Sequence, residues 1–155
     1  MGNELVGMNV VLGAGAHLPM YATEGAACID LMATEPCELQ VGATQIISTG
    51  LRIQVPEGYC FMIFSRSGLA AKYGVIVVNA PGIIDSDYRG EVKVALHHLW
   101  TGVDAVFYVQ AGDRIAQGAL VPMPRIQFTH VQTLDASIRG DGGFGSTGGL
   151  LSALP

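Results

Sequence analysis

Apolar and polar positions along this chain alternate with a period of two. Leu51, Ile53 and Val55 are interleaved with Arg52 and Gln54, and Val92, Val94 and Leu96 with Lys93 and Ala95. That spacing predicts strands with one buried face. Further short β-type runs cover 9–12, 29–32, 45–48, 59–64, 75–78, 105–109, 115–121 and 126–131. Turn formers separate them: Pro56-Glu57-Gly58, Ala80-Pro81-Gly82, Gln110-Ala111-Gly112-Asp113, Pro122 and Pro124. Only 68–73 suggests a helix, and it is barely two turns. Many short strands with frequent turns predict an all-β fold, a sandwich, jelly roll or barrel. With 155 residues and no repeat or linker before the tail, one β domain is expected over 1–138, followed by a glycine-rich arm over 139–155.

Composition sharpens this picture. Half of the residues are hydrophobic, only 14 % are charged and the mean hydropathy is +0.41. The chain is too apolar for disorder and unusually sparing of surface charge, which points to a surface hidden against copies of itself. No apolar run approaches the roughly 18 residues of a membrane span. The first basic residue is Arg52, so no secretory signal is expected. Val6 stands where a myristoylation signal needs Ser or Thr. Cys28, Cys37 and Cys60 form no CxxC pair and are odd in number. They read as reduced, buried small hydrophobes of a cytoplasmic protein.

The net charge of −5 disfavours nucleic acid as a partner. Yet Arg66, Lys72, Arg89, Arg114 and Arg139 all fall in glycine-, serine- or aspartate-rich stretches. Scarce positive charge placed in loops looks like a site for a small anion. The tail RGDGGFGSTGG, from residue 139, adds to this. Glycine loses the most backbone freedom on folding, so such a segment needs a ligand to order it, and a polyanion is expected.

Several familiar sites are absent. Neither GxxxxGK[ST] nor HExxH occurs. His97 and His98 are adjacent in a predicted strand, so they face opposite ways, one to the core and one to solvent, and cannot share a metal. His17 and His130 are isolated. In Ser65-Arg66-Ser67-Gly68-Leu69-Ala70-Ala71-Lys72-Tyr73-Gly74, a strand runs into a short helix through Ser and Gly. This is either an anion-binding start with Arg66 as a charged donor or a capped surface turn. In Pro81-Gly82-Ile83-Ile84-Asp85-Ser86-Asp87-Tyr88-Arg89-Gly90-Glu91 two glycines bracket two carboxylates. These would share a face on a regular backbone, and could act as metal ligands, as a general base, or as salt-bridge partners of Arg89. Asn79 could add donors and acceptors. In Gly112-Asp113-Arg114-Ile115-Ala116-Gln117, a strand entry can aim the Gln117 amide at a ligand.

Taken in order with Ala27-Cys28-Ile29-Asp30-Leu31 ahead of them, SRSGLAAKYG, NAPGIIDSDYRGE, GDRIAQ and RGDGGFGSTG closely resemble the five motifs of the trimeric deoxyuridine triphosphate nucleotidohydrolases, the dUTPases. The resemblance spans residues 27–148. It implies a distorted jelly-roll homotrimer that hydrolyses dUTP to dUMP and pyrophosphate with Mg²⁺, with each site between subunits and the arm closing over a neighbour's site. It implies that Asp85 is the base that activates water and that Asp30 contacts Mg²⁺ through water. Arg66, Ser67, Gly68 and Gln117 would bind phosphates, and Asn79, Gly82, Ile83 and Ile84 would read uracil through a hairpin edge. Tyr88 would pack on deoxyribose, and Lys93 would lie nearby. In the arm, Arg139 would hold the γ-phosphate, Gly145, Ser146 and Thr147 would wrap it, and Phe144 would stack on the base. Neither nucleic acid nor membrane is implied as a partner.

Two positions depart from the family pattern: Cys28 where many members have Gly, and Ser65 where many have Pro. The nearest alternatives are a dCTP deaminase, or a bifunctional deaminase-diphosphatase, and a regulatory binding protein of the same fold. The deaminases carry a glutamate at a position that falls on about Ala95 here, which cannot move protons.

Overall fold

The period-two alternation becomes antiparallel ladders. In a computed structural model, which describes residues 5–99, 105–143 and 146, the elements are β1 (Asn9–Leu12), β2 (Ile29–Met32), β3 (Cys37–Gln40), β4 (Thr44–Gln54), β5 (Tyr59–Phe64), α1 (Ser67–Tyr73), β6 (Val75–Val77), β7 (Gly82–Ile84), β8 (Glu91–His98), β9 (Val106–Val109) and β10 (Arg114–Pro122). One sheet has the order β1-β4-β8-β6, a second β2-β10-β5-β7, and β3 pairs with β9. Two four-stranded antiparallel sheets around one core make the jelly-roll type of architecture expected from the sequence. No helix among the described residues is long and apolar enough to cross a membrane.

Alternation decides which side chains fill the core. In β4, Ile47, Thr49, Leu51 and Ile53 point inward, and in β8 Val92, Val94, Leu96 and His98 do so. The apolar ones join Leu31, Phe61, Ile63, Val75, Val77 and Ile115 in a single cluster, with Thr49 and His98 as buried polar residues. Runs 45–48 and 51–55, expected as separate strands, are one strand with a register shift between Ser48 and Leu51. The irregular backbone is satisfied by side chains: Thr49 Oγ1 donates to the Val92 carbonyl, and the Gly50 N–H donates to Glu91 Oε1 at 2.9 Å.

The run 126–131, expected as a strand, is not one. It has the alternation but no ladder partner, and its residues are exposed. A strand exists only as half of a pair. The chain divides into two compact units, Met1–Arg125 and Ile126–Pro155, and every named element lies in the first.

Of the two adjacent histidines, His98 is buried, its Nδ1 3.1 Å from the Leu39 carbonyl oxygen, while the Nδ1 of the more exposed His97 lies 2.9 Å from Thr44 Oγ1. All three cysteines are free. Cys60 is buried as expected, whereas Cys28 and Cys37 are only half-buried because each sits at or beside an edge strand.

Candidate functional site

β10 organises the site because it lies between β2 and β5. Gln117 is opposite Asp30 on one side and Phe64 on the other. Register thus brings the Ala27–Leu31 motif, the end of β5 and the strand entry at Arg114 to one place. A shift between Arg114 and Ala116 marks the start of the ladder there.

The chain leaves β5 through Ser65 and Arg66 and turns at once into α1. Two groups of β10 hold this exit. Gln117 Nε2 donates to the Ser65 carbonyl at 3.0 Å, and Arg66 Nη1 donates to the Arg114 carbonyl at 3.0 Å. Ser65 Oγ accepts the Val77 N–H at 2.8 Å. The serine that departs from the family pattern therefore ties the exit to β6, a bond proline could not make. α1 ends at Gly74, whose left-handed φ of 64° lets its N–H return to the Ala70 carbonyl.

Asp30 faces two guanidinium groups. Its Oδ1 lies 2.9 Å from Arg66 Nε and its Oδ2 3.3 Å from Arg114 Nη1. Arg66 is thereby held at Nε by Asp30 and at Nη1 by the Arg114 carbonyl, and its Nη2 has no bond among the described residues. These groups line a cavity of about 690 Å³ together with Ser67, Gly68 and Lys72. Its charged lining is three cations (Arg66, Lys72, Arg114) and one carboxylate (Asp30), a local balance of +2 in a chain of net −5. Such a concave, water-accessible, cationic surface suits a polyphosphate.

A second cluster forms on the other edge of the same sheet. Gly82, Ile83 and Ile84 form β7, which pairs with β5 and has no further strand partner among the described residues. Its outer N–H and C=O groups are available. With Asn79, Lys93 and Ala95, β7 lines a cavity of about 50 Å³. The Asn79 amide lies against Gly82, where a Cβ would stand 3.3 Å from its Nδ2.

Asp85 follows β7 and is exposed. Residues 85–88 turn, with the Tyr88 N–H on the Asp85 carbonyl at 3.2 Å. Arg89 donates to the Ser86 and Tyr88 carbonyls, so it braces the turn; no ion pair joins it to Asp85 or Asp87 among the described residues. Beneath the turn, burial pushes the Cys60 thiol up, and the Asp85 charge adds to the shift.

The expected phosphate residues Arg66, Ser67, Gly68 and Gln117 thus come together with Asp30, and Asn79, Gly82, Ile83, Ile84 and Lys93 form a separate group. Three strand spacings of roughly 4.8 Å put β2 and β7 about 14 Å apart within one chain. Arg139 and Ser146 are described only within the second unit, where Arg139 Nε donates to the Gly142 carbonyl at 2.8 Å. Phe144, Gly145 and Thr147 lie outside the described residues. Lys72 and Arg114 also line the cavity, where the sequence motifs assign them a charge and no role. The glycine-aspartate turn before Arg114 was the available signal. Among the described residues no three His, Cys, Asp or Glu side chains cluster to hold a metal.

Comparison with known proteins gives the family. The profile of the dUTPase family matches residues 14–148. The deoxyuridine 5'-triphosphate nucleotidohydrolase of Wolinella succinogenes is 47% identical over 137 residues, 88% of this chain and 90% of that protein. The enzyme of the same name from Anaplasma marginale is 43% identical over 143 residues, 91% and 95% of the two chains. Among solved structures, a Staphylococcus bacteriophage 80alpha dUTPase mutant with dUpNHpp superposes with a TM-score of 0.82 at 23% identity, covering 92% of this chain and 98% of that one. A phage phi11 dUTPase mutant from S. aureus, described as revealing the coordination of a structural Mg(II) ion, gives 0.74 at 21% identity, covering 83% and 98%. The family profile, the similarity along nearly the whole chain and the shared fold lead to one conclusion: this chain belongs to the dUTPase family.

Proposed function

We propose that the protein hydrolyses dUTP to dUMP and pyrophosphate, which limits uracil entry into DNA and supplies dUMP for thymidylate synthesis. The observation that carries the reading is the pairing, on opposite edges of one sheet, of a cationic cavity with an open strand edge that ends in a carboxylate. The first suits a triphosphate. The second offers uracil the N–H and C=O pattern of a partner base. A site assembled between subunits of a homotrimer, phosphates on one chain and base on its neighbour, accounts for both.

Asp85 is the group that takes the proton of the attacking water. Its exposed carboxylate is free to accept from a water, and that water attacks the α-phosphorus in line with the departing pyrophosphate. Arg66, Ser67, Gly68 and Gln117 hold the phosphates in the line of attack. Thymine is excluded where its 5-methyl meets the hairpin, cytosine by mispaired donors and acceptors, and ribose by Tyr88. The arm closes over the nucleotide through Arg139, Phe144, Gly145, Ser146 and Thr147, so ordering it depends on the triphosphate.

Mg²⁺ fits this donor set in one way. Each oxygen of Asp30 accepts from one guanidinium and keeps a second lone pair, to which a metal-bound water could donate. The ion would be held by Asp30 through water together with the substrate phosphates and would supply charge neutralisation. The free thiols support a reducing, cytoplasmic setting.

The deaminase alternative requires an acid where Ala95 presents a methyl group to the base cavity. The deciding experiment measures pyrophosphate and ammonia released from dUTP, dCTP, dTTP and UTP, with light scattering to count subunits. Pyrophosphate from dUTP alone is expected. Ammonia from dCTP overturns the reading.

A further inference from the structure

Discrimination of deoxyribose from ribose depends, in the function proposed above, on Tyr88 being the ring that faces the sugar. Excluding a single added hydroxyl takes a wall that cannot yield. Tyr88 is poorly suited to be one: it is 42% exposed and leaves a turn that belongs to no strand. Two contacts compensate. Its hydroxyl donates to the Glu91 carbonyl at 3.0 Å, and Glu91 is itself fixed at the start of β8 by the Gly50 N–H on its carboxylate. The ring also folds back over Gly90. A Cβ at Gly90 would stand 2.3 Å from Tyr88 Oη, 2.5 Å from Cζ and 3.0 Å from Cε2. Gly90 is not among the glycines with positive φ, so its backbone admits alanine. What it contributes is empty space.

We propose that Gly90 is a positioning residue for sugar selectivity: its missing side chain lets Tyr88 lie back against the chain, where the Glu91 carbonyl pins it as a fixed wall against a 2'-hydroxyl. With a methyl at position 90, the ring has to swing out about its two torsions. The far end of an exposed side chain moves at little cost to the fold, so stability stays while the wall is lost.

The test compares kcat/KM for dUTP, UTP and dTTP in the wild type, Gly90→Ala, Tyr88→Phe and Tyr88→Ala, with Tm for each. Gly90→Ala is expected to raise the UTP:dUTP ratio about tenfold or more and to leave dTTP:dUTP within about twofold. Tyr88→Phe, which keeps the ring and drops its pin, moves UTP:dUTP the same way by less. A UTP:dUTP ratio unchanged in Gly90→Ala but raised in Tyr88→Ala overturns the proposal while Tyr88 keeps its place. A ratio unchanged in all three variants removes Tyr88 from the sugar site and the proposal with it. Parallel rises for UTP and dTTP mean a deformed hairpin, which also overturns it. If Gly90→Ala does not fold, Tyr88→Phe decides. A wild type without dUTP turnover refutes the activity itself.

Discussion

Gly118 is the position where the packing argument is sharpest. It lies mid-strand in β10 between Ile29 of β2 and Ile63 of β5. The Phe61 ring crosses directly over it. A Cβ at position 118 would stand 2.1 Å from Phe61 Cζ, 2.6 Å from Cε1 and 3.0 Å from Cε2. Ordinary carbon contacts are roughly 3.5–4.0 Å, so the ring must retreat by more than about 1 Å. Phe61 is 2% exposed, which leaves few directions. One is open: the ring borders an apolar cavity of about 150 Å³ also lined by Leu31, Ile53 and Val92. That outlet keeps Gly118→Ala within the usual range for overpacking, about 2 kcal/mol. For a chain of this length the loss lowers Tm by roughly 4–8 °C. The assay is thermal unfolding by circular dichroism at fixed protein concentration, since association shifts Tm. Phe61→Leu alone leaves a void and costs about 1 kcal/mol. Combined with Gly118→Ala it should cost less than the sum by at least about 0.5 kcal/mol, because the smaller side chain no longer meets the new methyl. A Tm for Gly118→Ala within about 1 °C of wild type, or strict additivity in the pair, refutes the account.

Three further outcomes are expected. Asp85→Asn should lower kcat by roughly 10²–10⁴-fold while nucleotide binding and assembly persist; the Cys60 thiol, freed of a nearby negative charge, should also react with iodoacetamide at lower pH than in the wild type. Asp30→Asn loses the charge opposite both Arg66 and Arg114 and should raise KM for dUTP about tenfold; a Mg²⁺ titration read by analogue binding separates this from a lost metal contact. Ending the chain before Arg139 should leave Tm nearly unchanged and abolish turnover, because the buried core cluster runs from Leu31 to Ala116 and the described bonds of Arg139, Gly142 and Ser146 are local; a large fall in Tm makes the arm structural instead.

Most of the strand pattern was legible because burial on one face writes a period of two into the residues. Asn9–Leu12, Ile29–Met32 and Tyr59–Phe64 emerge with the expected bounds. β3 and β7 were not legible in the alternation, for different reasons, and β7 was expected as a hairpin edge only through the family resemblance. Cys37–Gln40 reads as a polar loop, its one fully buried side chain being Leu39, and it is a strand only because Val106–Val109 supplies the ladder. Gly82–Ile84 follows Pro81 and carries turn residues, yet β5 recruits it. Run 126–131 is the converse, a good pattern without a partner. For the site, the motifs gave residue identities and families of contacts. What they could not give was the clamp on Arg66, because it uses the main-chain carbonyl of Arg114, a group no side-chain motif encodes.

β7 has a cost as well as a use. A strand edge left open for a nucleobase is equally open to another polypeptide, and Ile83, at 53% exposure, would add apolar contact to such a misalliance. The chain keeps the hazard small through brevity and flanking chemistry. Only three residues are offered, with Pro81 unable to donate at one end and the Asp85 and Asp87 carboxylates repelling like segments at the other. The acidic residue proposed to activate water thus doubles as a guard against self-aggregation, so neutralising it is expected to lower solubility as well as turnover.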